Sequence, residues 1–531
     1  MTVPPRKILL VVTTGGYTHA APILELGRIL SSRGHTITLA TLNDQDDWLS
    51  SHPYITTTHL LGPGPTPAQY NAHYLRMRNW DMSQGLAASM PSKYLFDSFW
   101  PLTYHGLHSI TSSPATRPDF IVADFFAVDA VRDIKIQFGI PIAVMSPTMP
   151  ALMLPCSYIP GQPGFQIDGT VTSEDASLWL RIRNEMVVVW ALREILGLWR
   201  WTKRMRRGEG VAYDLPALKK PDYIVLVNSF YGLEVARDLP PLAALVGPVL
   251  SEELSGLGKR EEVFLEGRRK VMYIALGTHV IISNGDAVMI VQALLRLLAE
   301  GVLDGVIWAV GESGRQDLDL AYRFDTDAGA GITFDDLLSG RHGDFFFPFF
   351  APQRAILDHE AVQIYFTHGG GSSANEGLYH GKRMLVMGIF SDQIANMARL
   401  VHAGVAESLD KFRFSAEEVY GKAKRVVEDL EGTYARNSLR LQRIACVASR
   451  RKYYAADLIE EVMYDDELRF GEGSEPRPMH LQTADVRMPA YKARNWDLMA
   501  VAAMALAGGL GAMGFFGRML WRNRGVPTRA K

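Results

Sequence analysis

Cysteine is scarce in this sequence, and neither sign of charge dominates. Two cysteines, Cys156 and Cys446, occur among 531 residues, and they lie far apart. This excludes a disulfide-stapled secreted chain and a metal site built from closely spaced cysteines, and it favours a reducing compartment. The formal net charge of -2 gives no electrostatic attraction to nucleic acid. We therefore expect no metal site and no nucleic-acid partner.

A secretory leader is also missing from the expected organisation. Arg6 and Lys7 precede an apolar run at residues 8–12, which superficially resembles a signal peptide. The run is too short for the apolar region of such a peptide, is rich in β-formers and meets a Gly-Gly turn. It predicts instead the first strand of an α/β domain. The absence of any Asn-x-Ser/Thr sequon favours a main body that never enters the lumen.

One long hydrophobic run stands at the other end of the chain. Residues 498–517 carry no charge, with Trp496 before them and Trp521 after them. This length spans a bilayer, and its glycines are tolerated better in membrane helices than in soluble ones. A buried core helix is the alternative interpretation. Basic residues flank both sides and leave the orientation open. We expect a single-pass anchor, with the main body in the cytosol and a polar tether at residues 465–497.

The rest of the chain alternates β-rich runs with helical patterns. The β-rich runs are KILLVV, HTITLAT, DFIVAD, IPIAVMS, YIVLVNS, VMYIALGT, GVIWAV, DFFFPFF, AVQIYFTH and RMLVMGI. This alternation predicts parallel strands joined by crossover helices, and the length suits two domains. We expect an α/β protein with two Rossmann-like domains, residues 1–240 and 263–464. The segment 241–262, rich in Pro and Gly, is predicted to link them and leave a cleft between them.

The segment 181–207 combines tryptophans with arginines around the apolar run MVVVWAL. This composition is typical of an amphipathic helix on a membrane surface. An ordinary helix that covers the first domain would show the same pattern. The sequence leaves both interpretations open.

The stretch from Phe350 to Gln393 carries the clearest chemical signal. A β-rich run ends at His368, three glycines follow, and a helix is predicted to begin near Ser372. Free backbone amides at a helix N-terminus, together with an imidazole and hydroxyls, form a site that suits a diphosphate. Taken alone, the glycines could form only a turn, and the segment from Ser373 to Glu376 only a capping box.

The whole stretch resembles the donor-binding signature of the UDP-glycosyltransferase family. The plant signature begins Trp-Ala-Pro-Gln, contains His-Cys-Gly-Trp-Asn-Ser, has Glu eight residues after that His and ends in Asp/Glu-Gln. Here the corresponding residues run from FAPQ through HGGGSSANE to DQ. Gly369, Gly371 and Ser372 replace the plant Cys, Trp and Asn, as in glycine-rich animal and microbial members. The resemblance covers most of residues 6–460 and implies the two-domain GT-B fold.

The resemblance also implies roles for individual residues. Phe350 would stack on uracil, Ala351 would hold the base edge, Gln353 would lie beside the nucleoside and Glu376 would bind the ribose hydroxyls. Asp392 and Gln393 would hold sugar hydroxyls. The diphosphate would contact a group of residues that the family keeps around its glycine-rich turns. These residues are Gly277, Thr278, His368, Gly370, Gly371, Ser372 and Ser373.

A general base is implied in the first domain. His19 follows the first strand, at the position where the family places its catalytic base. Asp124 ends another strand of the same sheet and corresponds to the family's His-orienting aspartate. Asp129 is the competing candidate, but it falls inside the following helix. An N-cap role for Asp124 is compatible with the orienting role.

These residues together predict transfer of a hexose from a UDP-sugar to a hydroxyl of a small lipophilic acceptor, with inversion and without a metal or bound cofactor. Asp392 and Gln393 favour glucose as the sugar. Apolar loop residues are candidates for acceptor contacts: Trp80, Met82, Phe125, Phe126, Met145, Met149 and Met153. A membrane-bound enzyme with a lipid acceptor and a non-catalytic UDP-sugar-binding scaffold are the alternatives. A nicotinamide oxidoreductase is excluded, because the first turn lacks Gly-x-Gly-x-x-Gly spacing.

Overall fold

The computed structural model describes residues 4–43, 45, 49–150, 154, 177–216, 219–277, 280–324, 331–469 and 478–523. Contacts divide the chain into two units, Met1–Pro476 and Arg477–Lys531. The first unit contains both of the sheets that position the candidate site.

The first half of this unit is built on seven strands. They are β1 (Lys7–Val12), β2 (Thr36–Thr41), β3 (Ile55–Leu60), β4 (Phe120–Asp124), β5 (Ile142–Ser146), β6 (Ile224–Val227) and β7 (Ala243–Leu245). All pair in parallel, in the order β3-β2-β1-β4-β5-β6-β7. The strand order reverses between β1 and β4, and a crevice for ligands opens at the carboxyl ends of strands at such a point.

Among the described residues, seven helices connect and cover these strands. They are α1 (Tyr17–Ser32), α2 (Pro67–Arg78), α3 (Leu86–Asp97), α4 (Trp100–Ser112), α5 (Val128–Phe138), α6 (Leu178–Trp190) and α7 (Leu192–Gly208). The strands are continuous apolar runs because both faces of the sheet are covered. Leu9 and Val11 of β1, for example, are fully buried in the cluster that also contains Leu107 and Val131.

The second half repeats this arrangement. Its strands are β8 (Val271–Ala275), β9 (Gly305–Trp308), β10 (Arg323–Phe324), β11 (Ile332–Thr333), β12 (Phe345–Phe346), β13 (Val362–Thr367), β14 (Arg383–Val386) and β15 (Ala406–Ser408). Six form a parallel sheet in the order β12-β9-β8-β13-β14-β15, and β10 pairs with β11 in an antiparallel pair. The strand order reverses between β8 and β13. The prediction of two parallel α/β sheets is confirmed.

Ten helices accompany the second sheet. They are α8 (Lys259–Leu265), α9 (Asn284–Ala299), α10 (Glu312–Gln316), α11 (Phe334–Leu338), α12 (Gln353–Asp358), α13 (Gly371–Tyr379), α14 (Asp392–His402), α15 (Ala416–Glu428), α16 (Thr433–Ala448) and α17 (Arg451–Arg469). The last of these returns to the first half. On α17, Lys452 donates to the buried carboxylate of Glu25 over 2.6 Å, and Glu460 lies 2.9 Å from His35. The chain therefore crosses between the halves a second time after residues 241–262.

Two details differ from the predicted organisation. The segment 241–262 holds the edge strand β7 and the start of α8, because three apolar residues suffice to pair with β6 but are too few to show a period. The helix α17 continues to Arg469, past the predicted start of the tether at residue 465.

In the second unit, the described residues 478–523 form the helices α18 (Ala484–Arg487), α19 (Ala490–Ala493) and α20 (Trp496–Asn523). Over the described part of the chain, one candidate membrane span is found, Trp496–Arg522, with a mean hydropathy of 1.8 and none of its window buried. Its length and composition are sufficient to cross a membrane. The predicted span 498–517 lies inside it.

Candidate functional site

A histidine and an aspartate meet at the point where the strand order of the first sheet reverses. His19 follows β1, and Asp124 is the last residue of β4. Their side chains approach to 2.9 Å between Nδ1 and Oδ1. When the carboxylate accepts from Nδ1–H, the neutral imidazole has its lone pair on Nε2. The expected pairing is therefore present in the geometry.

Asp124 has a second contact that holds it in place. Its Oδ2 accepts a hydrogen bond from the backbone N–H of Phe126 over 3.1 Å, as the N-cap of a short helical turn at Phe125–Ala127. The predicted cap and the contact with His19 thus coexist, one on each carboxylate oxygen. Asp129 lies inside α5, where its carboxylate lies 3.5 Å from Arg132.

His19 lies in the first turn of α1, because α1 begins at Tyr17, directly after the Gly-Gly turn. Gly15 makes room for the ring. Its φ of 92° lies in the left-handed region, and a Cβ there would be 2.7 Å from His19 Cδ2 and 2.9 Å from Phe126 Cε2. The ring of Phe126 packs beside His19, with 4.8 Å between centroids. The imidazole is thus held between a glycine and an aromatic ring.

The surroundings of His19 shift its pKa upward. Burial disfavours the charged ring and by itself would lower the pKa of His19. The carboxylates of Asp124 and of Asp392, which belongs to the second half, have the larger combined effect and raise this pKa above the usual value. Burial raises the pKa of Asp392, and the charge of His19 opposes that rise. The two halves of the unit therefore meet electrostatically at this histidine.

The corresponding position of the second sheet holds a second histidine between two glycines. Gly277 follows β8, and His368 follows β13. A Cβ on Gly277 would lie 2.8 Å from the ring of His368, and a Cβ on Gly370 would lie 2.5 Å from its Nε2. Glycine is needed at both positions because the imidazole fills the space. Thr278, which was predicted to face a phosphate, lies outside the described residues.

The helix α13 begins at this turn, close to the predicted start. Its N-cap is Gly370, which offers no side chain to the first amides. One of these amides already has a carboxylate partner, because Gly371 N–H donates to Asp392 Oδ2 over 3.2 Å. An acidic group thus lies at the positive end of the helix, where an anion is favoured.

Residues of α13 also contact the first half directly. The hydroxyl of Ser372 lies 3.5 Å from the carbonyl oxygen of Thr18, which lacks its helical partner because Pro22 has no N–H. Asn375 donates to the buried carbonyl of Asn228 over 2.7 Å. Ser373 is buried on the same helix. These contacts hold the start of α13 against the first half, and the contact of Ser372 lies in the turn of α1 that carries His19.

The predicted nucleoside end forms a separate group of contacts. Gln353 Nε2 donates to Glu376 Oε2 over 2.7 Å, and Tyr273 contributes its hydroxyl to Gln353 over 3.3 Å. Burial raises the pKa of Glu376, although the hydrogen bond from Gln353 opposes it. Ala351 is buried, whereas the ring of Phe350 is 83% exposed. The exposed ring of Phe350 is free to stack on a flat base.

At the end of the motif, the amide oxygen of Gln393 has partners within the protein. Its Oε1 accepts from the backbone N–H groups of Ile389 and Phe390 over 3.1 and 3.2 Å, so this oxygen supports the loop. Only the amide nitrogen remains for a sugar hydroxyl. Asp392 Oδ2 is likewise shared between Gly371 and Asn396.

A small cavity lies beside Phe126, with two carboxylates in its wall. Its lining includes Phe96, Asp97, Trp100, Phe126, Asp129 and Met205. Burial is the main cause that raises the pKa of Asp97 to about 6. Among the predicted acceptor contacts, only Phe126 lines this cavity. Met145 and Met149 are buried core residues, Trp80 packs against Phe390 of the second half, and Met153 lies outside the described residues.

Tyr17 is a site residue that the sequence did not single out. It opens α1, and burial together with the charge of Glu376 in the second half raises its pKa. Its position beside His19 in the same turn was the available signal. In the described part of the chain, no group of three His, Cys, Asp or Glu side chains is placed to hold a metal ion.

Comparison with known proteins gives consistent matches. The sequence profile described as "UDP-glucoronosyl and UDP-glucosyl transferase" matches residues 212–447. A UDP-glycosyltransferase of Talaromyces amestolkiae is 43% identical, over 96% of this chain and 97% of its own length. UDP-glycosyltransferase stmC of Aspergillus ustus is 42% identical over 95% of this chain and 96% of its own length.

Solved structures agree with the fold. The glycotransferase of kitacinnamycin aligns with a TM-score of 0.60 at 21% identity, over 86% of this chain and 99% of that one. A UDP-glucosyltransferase from Polygonum tinctorium that is capable of glucosylating indoxyl aligns with a TM-score of 0.56 at 20% identity. The alignment covers 87% of this chain and 100% of that one. The similarity of the fungal relatives extends over nearly the whole chain. The chain therefore belongs to the UDP-glycosyltransferase family and is a GT-B glycosyltransferase that uses a UDP-sugar donor.

Proposed function

We propose that this enzyme transfers glucose from UDP-glucose to a hydroxyl of a small lipophilic acceptor, with inversion, and that His19 is the general base. The observation that carries the proposal is the contact of His19 with Asp124 at the mouth of the first sheet, facing Asp392 of the second. A base here reaches an acceptor bound in the first half while the donor sugar is held by the second.

The step is a direct displacement. The acceptor oxygen attacks the anomeric carbon, and its proton passes to His19 Nε2. The bond from that carbon to the diphosphate breaks, and its electron pair leaves with UDP. Asp124 orients the ring and stabilises the imidazolium through Nδ1–H. Attack from the face opposite the leaving group inverts the configuration of the anomeric carbon.

The leaving diphosphate needs positive charge or hydrogen-bond donors. His368, the amides at the start of α13 and Ser372 provide donors close together, without a metal ion. For the diphosphate to use the Gly371 amide, Asp392 must release it. We infer that the carboxylate then turns to a sugar hydroxyl, as proposed for this residue in donor binding.

The membrane arrangement is part of the proposal. The helix α20 has the length and composition of a span, and we propose that it anchors the enzyme with its catalytic halves on the cytosolic face.

The experiment uses the full chain in detergent with UDP-glucose and a panel of phenols, sterols and hydroxylated lipids. Acceptor-dependent release of UDP is measured, and the anomeric configuration of the product is read from its proton coupling. We expect a β-linked glucoside from the α-linked donor. A product with retained configuration overturns the displacement, and UDP binding without turnover with any acceptor or donor supports a scaffold instead.

A further inference from the structure

The helices α6 and α7 expose an unusual number of large apolar side chains. Leu192, Leu196 and Trp199 follow each other at helical spacing along α7, and all three are exposed. On α6, Trp179 and Trp190 are also exposed. Soluble monomers rarely leave such a continuous apolar surface in contact with water. This surface therefore has an occupant.

The charge around these side chains is mostly positive. Arg200, Arg204 and Arg207 form an exposed row on α7, one position beyond the apolar row. Arg181, Arg183 and Arg193 are exposed on the same two helices, where the single exposed acidic residue is Glu185. A chain with a formal net charge of -2 thus concentrates positive charge on one apolar face. Tryptophan and leucine bordered by arginine is the composition of helices that lie in an anionic bilayer surface.

The far end of α7 is fixed to the protein interior. Arg206 donates to the buried carboxylate of Asp133 on α5, with 3.1 Å between Nε and Oδ2. Trp201 packs edge-on against Tyr94 of α3, with 5.1 Å between ring centroids. These contacts anchor α7 to the rest of the first half.

This face is also connected to the proposed acceptor end. Phe96, on the same helix as Tyr94, packs against Phe126, which in turn packs against His19. Met205 of α7 lines the cavity beside Phe126. The helix α7 is thus linked through Met205 to the wall of a small cavity that Phe126, the neighbour of His19, also lines.

We propose that the face formed by α6 and α7 docks on an anionic lipid bilayer, so that a hydroxylated acceptor dissolved in the bilayer enters the first half from the membrane. The docking does not depend on the proposed function, whereas the entry of the acceptor does. A protein partner or a second copy of the chain would be a different occupant, and the experiment below distinguishes these outcomes.

The test uses the full chain reconstituted in vesicles of phosphatidylcholine, with and without phosphatidylserine. In a C156S/C446S background, a fluorophore is attached to Val189→Cys on α6 or to Val447→Cys on α16. These positions are 56% and 65% exposed. Lipids brominated at the upper acyl chain quench a fluorophore that lies at the interface. We expect quenching at position 189, enhanced by phosphatidylserine, and little at position 447.

A matched pair of variants tests the role of charge. Arg200, Arg204 and Arg207 on α7 and Arg436, Arg440 and Arg443 on α16 have identical spacing, and all six are exposed. Replacement of the α7 set by glutamine weakens docking by about fivefold per arginine, seen as lost quenching at position 189. Replacement of the α16 set by glutamine leaves the quenching at position 189 unchanged. Equal quenching at both positions, no quenching at position 189, or protection of position 189 by dimerisation alone overturns the proposal.

The entry of the acceptor from the bilayer is tested in a separate experiment. Turnover of a sterol in the vesicles and of a water-soluble phenol is compared for the two triple variants. We expect the α7 variant to lose turnover of the sterol selectively. Docking without any turnover would refute the proposed function and leave the membrane surface standing, whereas equal loss for both acceptors would refute entry from the bilayer.

Discussion

The side chains of His19 and Asp392 come from opposite halves of the unit and interact electrostatically across the cleft between them. Burial alone would lower the pKa of His19, but Asp124 and Asp392 raise it above its usual value. A general base must be neutral, so activity is lost as pH falls through this raised pKa.

Replacement of Asp392 by asparagine tests this coupling. The substitution removes one of the charges that raise the pKa of His19, so that pKa falls and the acid limb of kcat/KM moves to lower pH. The absolute value also falls, because Asp392 contacts the start of α13. The limb is measured over the range around the ordinary histidine pKa of about 6.5. Asp335→Asn, an exposed surface substitution, should leave the limb in place. An unshifted limb for Asp392→Asn contradicts the account.

Gly370→Ala tests the packing of His368. The backbone at Gly370, with φ of -58°, accommodates any residue, so the added methyl costs energy only by its approach to 2.5 Å of His368 Nε2. We expect UDP to bind about tenfold more weakly, which corresponds to about 1.4 kcal/mol of binding free energy. Gly421→Ala, on α15 with nothing within 4 Å of the added Cβ, is the control. Calorimetric titration with UDP compares the two, and equal affinities would show that His368 is not confined by Gly370.

Phe350→Ala tests stacking on the base. Because the ring is 83% exposed, its removal should hardly change the free energy of unfolding. It should weaken UDP binding severalfold, since such a contact contributes about 1 kcal/mol. Phe350→Trp should retain or improve binding. The control is Leu430→Ala, whose side chain is 92% exposed. Unchanged binding in Phe350→Ala would place the base elsewhere.

The return of α17 to the first half depends on a buried ion pair. Lys452 and Glu25 are both buried, so Lys452→Met leaves Glu25 with an unbalanced charge despite its contact with Arg28. We expect the free energy of unfolding to fall by about 3 kcal/mol. The surface pair of Lys424 with Glu300 offers the control, and Lys424→Met should lower the free energy of unfolding far less, because solvent screens this pair. Urea denaturation measures both. A similarly small decrease in the free energy of unfolding for both variants would mean that the buried pair does not hold α17 against the first half.

The sequence allowed the sheets and the helix at the glycine-rich turn to be predicted, because buried parallel strands are continuous apolar runs and glycines mark the turn before α13. It did not reveal β3, whose ITTTHL is polar and half exposed at the sheet edge, or the three-residue β7 and β15. Short edge strands carry too few apolar residues to show a period.

The site could be predicted to the level of residues and not of contacts. His19 and Asp124 follow from their strand ends and the family resemblance. The contact of Asp392 with Gly371, and its coupling to His19, depend on how α14 and the first half meet across the cleft. The use of Gln393 Oε1 by two backbone amides depends on the loop conformation. No local pattern carries this information, because it arises from the packing of distant segments.

The most direct test of the central claim is the turnover of His19→Gln at a fixed occupancy of the donor site. UDP affinity is first measured by calorimetry, and kcat is then measured with UDP-glucose and the acceptor that the panel identifies. The account predicts that kcat falls by about 10²–10⁴-fold, the range for loss of a general base, while UDP affinity stays as in the unsubstituted enzyme. A kcat that remains within a few-fold of the unsubstituted enzyme would contradict the account and assign the proton to another group.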